Sequence, residues 1–234
     1  MPSKLALITG ASKGVGRAVA LALAAENITM LVTGRNENDL QRLKAEVEKQ
    51  KGTCIYIVAD LNDDRSIDRL IDEIALQGNE LDLLVHSAGI ANVGSVADMT
   101  LEAWQESLSI NLTAPFYLTQ RCLPFMTKGA KIIFINSVAG RTSFPEWSAY
   151  SAAKAGLAAF ADTLRQEVQA DGIKVISIFP TSVDTPMQDK LPYNWDRSKM
   201  LTPEQVAEIV RVCYEQPERV LLKNIEIENI SGTF

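Results

Sequence analysis

The chain predicts an α/β fold, a doubly wound parallel sheet in a three-layer α/β/α sandwich. Short runs that are apolar on both faces recur along it, as strands covered on both sides of a parallel sheet must be. Longer stretches of helical period separate them, and strand–helix alternation builds right-handed βαβ units. No linker, low-complexity segment or internal repeat interrupts 1–234. The whole chain therefore reads as a single domain.

Taken in order, the runs at 5–9, 29–33, 54–58, 81–85, 131–136 and 174–179 read as strands. Between them, Leu40, Leu43 and Val47 mark one amphipathic helix, and Ile67, Leu70, Ile71 and Ile74 a second. Val206, Ile209, Val210 and Cys213 mark a third. The helix starts agree. Asn36 precedes Glu37 and Asp39, which put negative charge on a first turn. Thr202 precedes Pro203 and Glu204, with Pro at the first helical position. The one long irregular stretch, 181–201, follows a strand and so lies at the sheet edge where ligands bind. It reads as a lid over a substrate.

The first strand runs into Gly10-Ala11-Ser12-Lys13-Gly14-Val15-Gly16 and then a helix through Ala25. Gly10 permits the sharp exit from the strand and Gly14 lets backbone approach a pyrophosphate. Gly16 lets the helix pack closely, with Val15, Val19 and Ala22 towards the sheet. The helix N-terminus then offers N–H groups and a positive dipole end to phosphates. In this context the turn, Ser12, Lys13 and Val15 included, reads as the dinucleotide cradle of a Rossmann-like fold.

The second strand ends in Thr33-Gly34-Arg35. A carboxylate at that point would accept from the ribose 2′-hydroxyl of NAD. Arg35 cannot accept, but it can fork onto a 2′-phosphate, and Lys13 lies in the turn to join it. Glu37, the rival carboxylate, is accounted for by the helix dipole. The expected cofactor is NADP(H).

Composition bounds the partners. Apolar residues make up 47% and charged residues 22%, with 23 Lys and Arg against 29 Asp and Glu, a net charge of −6. Such a chain is globular, and its acidity argues against broad nucleic-acid or anionic-membrane binding. Three cysteines without a CxxC pair and one histidine are too few for a zinc or iron–sulfur site, and they suit a reducing compartment. No run approaches ~18 apolar residues, and the start is too short in apolar residues for a signal peptide. A soluble cytoplasmic protein is expected.

Thr9-Gly10-x-x-x-Gly14-x-Gly16 resembles the turn of the short-chain dehydrogenases/reductases. The resemblance continues in order through nearly the whole chain. Asp60-Leu61 resembles the family's adenine-contacting pair. His86-Ser87-Ala88-Gly89 stands where the family usually has Asn-Asn-Ala-Gly. Asn111 matches the Asn of the long fourth helix, Ser137 the catalytic Ser, and Tyr150-Ser-Ala-Ala-Lys154 the Tyr-x-x-x-Lys signature. Phe179-Pro180-Thr-Ser-Val183-Asp-Thr185 resembles the loop that holds the nicotinamide carboxamide through Val183 and Thr185. Two departures stand out. Thr181 replaces the Gly of Pro-Gly, and His86 and Ser87 replace two loop-tying asparagines. His86 reads as a hydrogen-bonded histidine at a strand end.

Reducing a ketone takes a hydride and a proton for the developing alkoxide. Tyr150 and Lys154 are four apart in an alanine-rich helical segment, so they share a face. Lowering a phenol from pKa ≈ 10 to near 7 takes about 4 kcal/mol. An ammonium ~4 Å away supplies roughly that at an effective dielectric of 20. Tyr150 is therefore expected as general acid/base with Lys154 lowering its pKa. Ser137, just beyond an apolar strand, is placed to polarise the carbonyl oxygen. The resemblance adds that Lys154 binds the nicotinamide ribose, and that Asn111 holds a water relaying protons to it.

Small residues along the same helical stretch (Ala152, Ala153, Ala155, Gly156, Ala158, Ala159) allow close helix approach, and the resemblance implies a homodimer or homotetramer. The expected activity is NADPH-dependent reduction of a small-molecule carbonyl, either a ketone or aldehyde or a 3-oxoacyl thioester. The C-terminal stretch 219–230 lacks the Gly-rich ending of the latter group. Phe144, Trp147, Tyr193 and Trp195 can line an aromatic-friendly pocket or anchor the loop. The alternative is an NADP-binding sensor or scaffold without catalysis.

Overall fold

A computed structural model of the chain describes residues 4–24, 27–78 and 80–230. The elements begin β1 (Lys4–Ile8), α1 (Gly14–Leu23), β2 (Ile28–Gly34), α2 (Glu37–Lys49), β3 (Thr53–Val58), α3 (Asp64–Leu76) and β4 (Leu83–His86). There follow α4 (Leu101–Leu108), a π-helical turn (Ser109–Thr113), α5 (Ala114–Cys122), β5 (Lys131–Ile135) and α6 (Ser148–Glu167). The chain closes with β6 (Lys174–Pro180), α7 (Pro203–Glu215) and β7 (Asn224–Ile227). The strands form one sheet in the order β3-β2-β1-β4-β5-β6-β7, and every pairing is parallel. The order reverses between β1 and β4, so a crevice opens at their carboxyl ends, as at the switch point of doubly wound sheets.

Alternate strand residues feed two cores, one on each face of the sheet. Ala6, Ile8, Met30, Val32, Ile133 and Ile178 pack under α1, α2 and α7. Leu5, Leu7, Leu31, Leu84, Ile132 and Phe134 pack under α3, α5 and α6. Burying such a side chain contributes about 1.5–3 kcal/mol, so neither layer of helices is dispensable. The three amphipathic helices read from periodicity are present. Asn36 caps α2 by accepting from the Asp39 N–H at 3.0 Å, and Thr202 and Gln205 form a reciprocal capping box on α7. In α1, Val19 is buried, and Val15 and Ala22 pack against the same core; Ala25 lies outside the described residues.

Every expected strand differs from the observed one by a residue or two at one end or both. Thr9 leaves β1, because its side chain serves the neighbouring loop. Leu81 precedes β4, which runs on to His86. Asn136 lies beyond β5. The seventh strand was not expected. β7 is four residues long and its burial alternates, as befits an exposed sheet edge. Arg165 of α6 holds it there, donating to Val175 O (2.8 Å), Asn224 Oδ1 (3.3 Å) and Lys223 O (3.4 Å). Thr181 extends the same ladder, its N–H donating to Ile227 O at 3.0 Å. The residue replacing the expected Gly therefore keeps its backbone N–H paired to β7.

The expected long fourth helix is interrupted at Ser109–Thr113 by the π turn, which holds Asn111. Such turns insert a residue into a helix and re-aim side chains. On α6, Gly156 answers to an intrachain need. A Cβ there would lie 2.8 Å from Leu112 Cδ2. Ala152, Ala155 and Ala159 remain exposed. No described helix is long and apolar enough to cross a membrane.

Candidate active site

A cleft of about 840 Å³ lies at the carboxyl edge of the strands. Its floor is built from the glycine turn outward. Gly10 has φ +65°, and a Cβ on it would come within 2.7 Å of the Ala88 backbone. A side chain there would force apart β1 and the loop after β4. Thr9 ties the same two segments, accepting from the N–H groups of Ser87 (3.0 Å) and Ala88 (3.1 Å) and donating to Val85 O (3.3 Å). Because the tie is made to backbone, it does not depend on side chains at 86 and 87. His86 is free for another job. Its Nε2 lies 2.8 Å from Thr119 Oγ1, and its ring stacks on Phe134 at 4.8 Å. Burial, with the charge of Lys154 second, pushes its pKa down to about 3. It is a neutral structural histidine, as its sequence position implied.

The helix facing the cleft is left open. α2, α3, α4 and α7 each carry a side-chain cap, whereas α1, like α5 and α6, has none and no acid in its first turn. Its first N–H groups and dipole end are thus available to an anion. Gly14 leaves the passage clear; a Cβ there would sit 3.3 Å from Thr185 Cγ2 on the opposite wall. Lys13 and Arg35 line the same end, both exposed and with no ion-pair partner among the described residues. Glu37 is turned to Gln41 and Tyr56 instead. Asp60 and Leu61 line the cleft, with Asp60 Oδ1 accepting from the Asn62 N–H at 3.0 Å. Three buried polar atoms on cleft-lining residues, Thr33 Oγ1, Asn136 Nδ2 and Gln188 Oε1, have no partner among the described residues. Cradle, cations and orphaned polar atoms together fit a phosphorylated dinucleotide.

At the far end Ser137, Tyr150 and Lys154 converge. Ser137 sits one residue past Asn136, its N–H accepted by Asn136 Oδ1 at 2.9 Å, and its Oγ accepts from the Ala139 N–H at 3.1 Å. A Cβ on Gly140 would lie 2.8 Å from Lys154 O, so the turn after Ser137 rests directly on α6. Tyr150 is buried, close enough to Ser137 for that hydroxyl to act on its pKa. Lys154, one helical turn on, lies 5.7 Å from the Tyr150 ring centre and donates to Ile135 O at 2.9 Å.

The electrostatics correct one expectation. Burial pushes the Tyr150 phenol up to about 12, with the Ser137 hydrogen bond pulling the other way. The same burial pushes Lys154 down to about 8. Desolvation thus outweighs the pull of the ammonium on the phenol. Asn111 is fully buried in its π turn. It donates to Ile90 O and Ser107 O, both at 2.9 Å, and accepts from the Ile90 N–H at 3.2 Å. Both amide protons are thereby committed to backbone. Asn111 Oδ1 and Lys154 Nζ meet over Gly89, where a Cβ would lie 2.9 and 3.9 Å from them.

Residues 181–201 close over this end. Val183 and Leu201 form an isolated parallel bridge, and the Leu201 N–H donates to Ser182 O at 2.9 Å. Arg197 clamps the interior of the loop, reaching Asp184 at 3.0 Å and Asp189 at 2.5 Å. Pro180, Val183 and Thr185 line the cleft beneath it. Sequence reasoning missed Thr9 as a tie and Asn136 as a seat for Ser137. Their positions at the ends of β1 and β5 were the available signal.

The family profile described as short chain dehydrogenase matches residues 4–194. Sepiapterin reductase of Chlorobaculum tepidum is 30% identical over 97% of this chain and 96% of its own. A 3-oxoacyl-[acyl-carrier-protein] reductase of Synechocystis sp. is 32% identical over 94% and 87%. Among solved structures, a dehydrogenase/reductase from Sinorhizobium meliloti 1021 superposes with a TM-score of 0.89 at 29% identity, covering 98% of this chain and 95% of that one. An actinorhodin polyketide ketoreductase solved with NADPH gives 0.87 at 25% identity, covering 97% and 96%. The glycine turn, the parallel sheet and the Ser–Tyr–Lys cluster thus come together in a chain that belongs to the short-chain dehydrogenase family.

Proposed function

We propose that the protein is an NADPH-dependent reductase of small-molecule carbonyl compounds. The observation that carries this reading is the convergence of Ser137, Tyr150 and Lys154 at one end of the cleft whose other end is the open glycine turn. The reductases among its relatives support it, as does the ketoreductase solved with NADPH.

The cofactor, when bound, supplies a hydride to the carbonyl carbon. The residues of this chain do the rest. Gly10, Ser12, Gly14, Val15 and Gly16 would offer backbone to the pyrophosphate, and Lys13 and Arg35 would hold the 2′-phosphate. Asp60, Leu61, Ser87, Ala88 and Gly89 would flank the adenosine and its link. Pro180, Val183 and Thr185 would hold the carboxamide end. Ser137 donates to the carbonyl oxygen as negative charge develops there. Tyr150 gives that oxygen its proton. Burial keeps the phenol protonated at neutral pH, so the proton that the reducing direction requires is on Tyr150. Lys154 holds the β5 end through Ile135 O and offers an ammonium to ribose hydroxyls. Asn111 positions the wall at Ile90 and Gly89, donating its amide protons to Ile90 O and Ser107 O.

The test is NADPH consumption against a panel of ketones, aldehydes and 3-oxoacyl thioesters. Turnover of at least one class is expected. Tight NADPH binding without turnover of any would contradict the reading.

A further inference from the structure

We infer that the substrate subsite is an aromatic wall selective for carbonyl compounds bearing an uncharged planar aromatic group next to the carbonyl. The inference rests on the reductase reading above and names its substrate class. Trp147 meets the Tyr150 ring edge-on, with centroids 5.5 Å apart. Trp147, Tyr193 and Trp195 lie with planes within 12° of one another, their centroids 4.9 to 6.3 Å apart. Near-parallel planes at those separations are rings stacked on one another, a rigid aromatic block that presents Trp147 and Trp195 to the cleft. Two of the three rings, Trp147 and Trp195, line the cleft, and Phe144 lines it beside them.

The wall is held rigidly. Tyr193 donates its hydroxyl to Glu146 Oε2 at 2.8 Å. Glu146 adopts φ +68° and its carbonyl accepts from the Gly94 N–H at 2.8 Å. A non-Gly residue in that backbone region is held only by its surroundings, which fixes Trp147 next in sequence. A rigid aromatic surface costs little ordering entropy on binding and favours offset or edge contact with another ring. Charge argues for the same class. The ionisable groups lining this half are Glu106 and Lys190, both exposed, and the buried Tyr150 and Lys154. No buried counter-charge stands at the wall among the described residues, so a charged substituent would be desolvated unpaired. A carbonyl oxygen placed at Tyr150 and Ser137 sets its substituent beside Trp147.

The experiment compares acetophenone with cyclohexyl methyl ketone, which share a carbonyl and differ in the ring. With wild-type enzyme and NADPH, kcat/KM is expected about tenfold higher for acetophenone. Trp195→Leu and Trp147→Leu should shrink that ratio through KM, and Trp195→Phe, which keeps a ring, should restore most of it. Equal values in the wild type, or a ratio unmoved by both Leu variants, overturns the proposal. Acetophenone quenching of intrinsic tryptophan fluorescence reads the wall without turnover. Saturable quenching, weakened by Trp195→Leu, supports the wall even if neither ketone is reduced, an outcome that would count against the reductase reading alone. Absence of saturable quenching overturns the wall.

Discussion

Single side chains carry the chemistry, and their environments set its direction. Tyr150 is held neutral by burial while Ser137 pulls against that effect. In cofactor-free protein the tyrosinate absorbance that separates wild type from Tyr150→Phe should appear only above about pH 11. Its appearance below pH 9 would show that Lys154 controls the phenol after all. At the other end of the cleft, Arg35→Asp should remove a phosphate fork and supply a hydroxyl acceptor. The NADPH to NADH ratio of kcat/KM should fall at least tenfold, and an unchanged ratio would remove Arg35 from cofactor choice. Most of these positions were legible in the sequence, because Tyr150, Lys154, Ser137 and the glycines sit at spacings that chemistry dictates. The sign of the Tyr150 shift was not. Coulomb attraction can be reckoned from a spacing of four residues, whereas desolvation depends on what covers the pair in three dimensions.

Elements position those side chains, and some were far easier to read than others. Helices with strong period and caps, such as α2 and α7, declared themselves. β7 did not, because four alternating residues at a sheet edge resemble any short polar stretch and depend on Arg165 for their place. The π turn was equally hidden. Its only mark is Asn111, whose amide takes the Ser107 carbonyl that the altered helix pattern leaves over. Two substitutions test this level by denaturant unfolding. Thr202→Ala should cost about 1 kcal/mol by breaking the capping box on α7. Gly10→Ala should cost at least about 2 kcal/mol, combining positive φ with a clash against Ala88 backbone. A cost under 0.5 kcal/mol for Gly10→Ala would mean that the turn relaxes freely.

The molecule as a whole places two half-sites at one crevice, and that juxtaposition follows from the reversal of strand order between β1 and β4. Its stability should carry the imprint of the buried groups. Lys154 and Lys131 are both pushed down to about 8 by burial. Between pH 8 and 10.5 the unfolded chain keeps their protons and the folded chain sheds them, so unfolding free energy rises with pH there. For Lys154 the gain from pH 7 to 9.5 is about 2 kcal/mol, and Lys154→Met should flatten that rise. Above about pH 10.5 and up to about 12 the raised phenol of Tyr150 reverses the slope, since the unfolded tyrosine has then lost its proton and the folded one keeps it. The most direct check on the account is kcat/KM for NADPH-dependent carbonyl reduction in Tyr150→Phe, measured beside NADPH affinity. The account predicts a loss of about 10²- to 10⁴-fold with affinity retained. A variant as fast as wild type would contradict it.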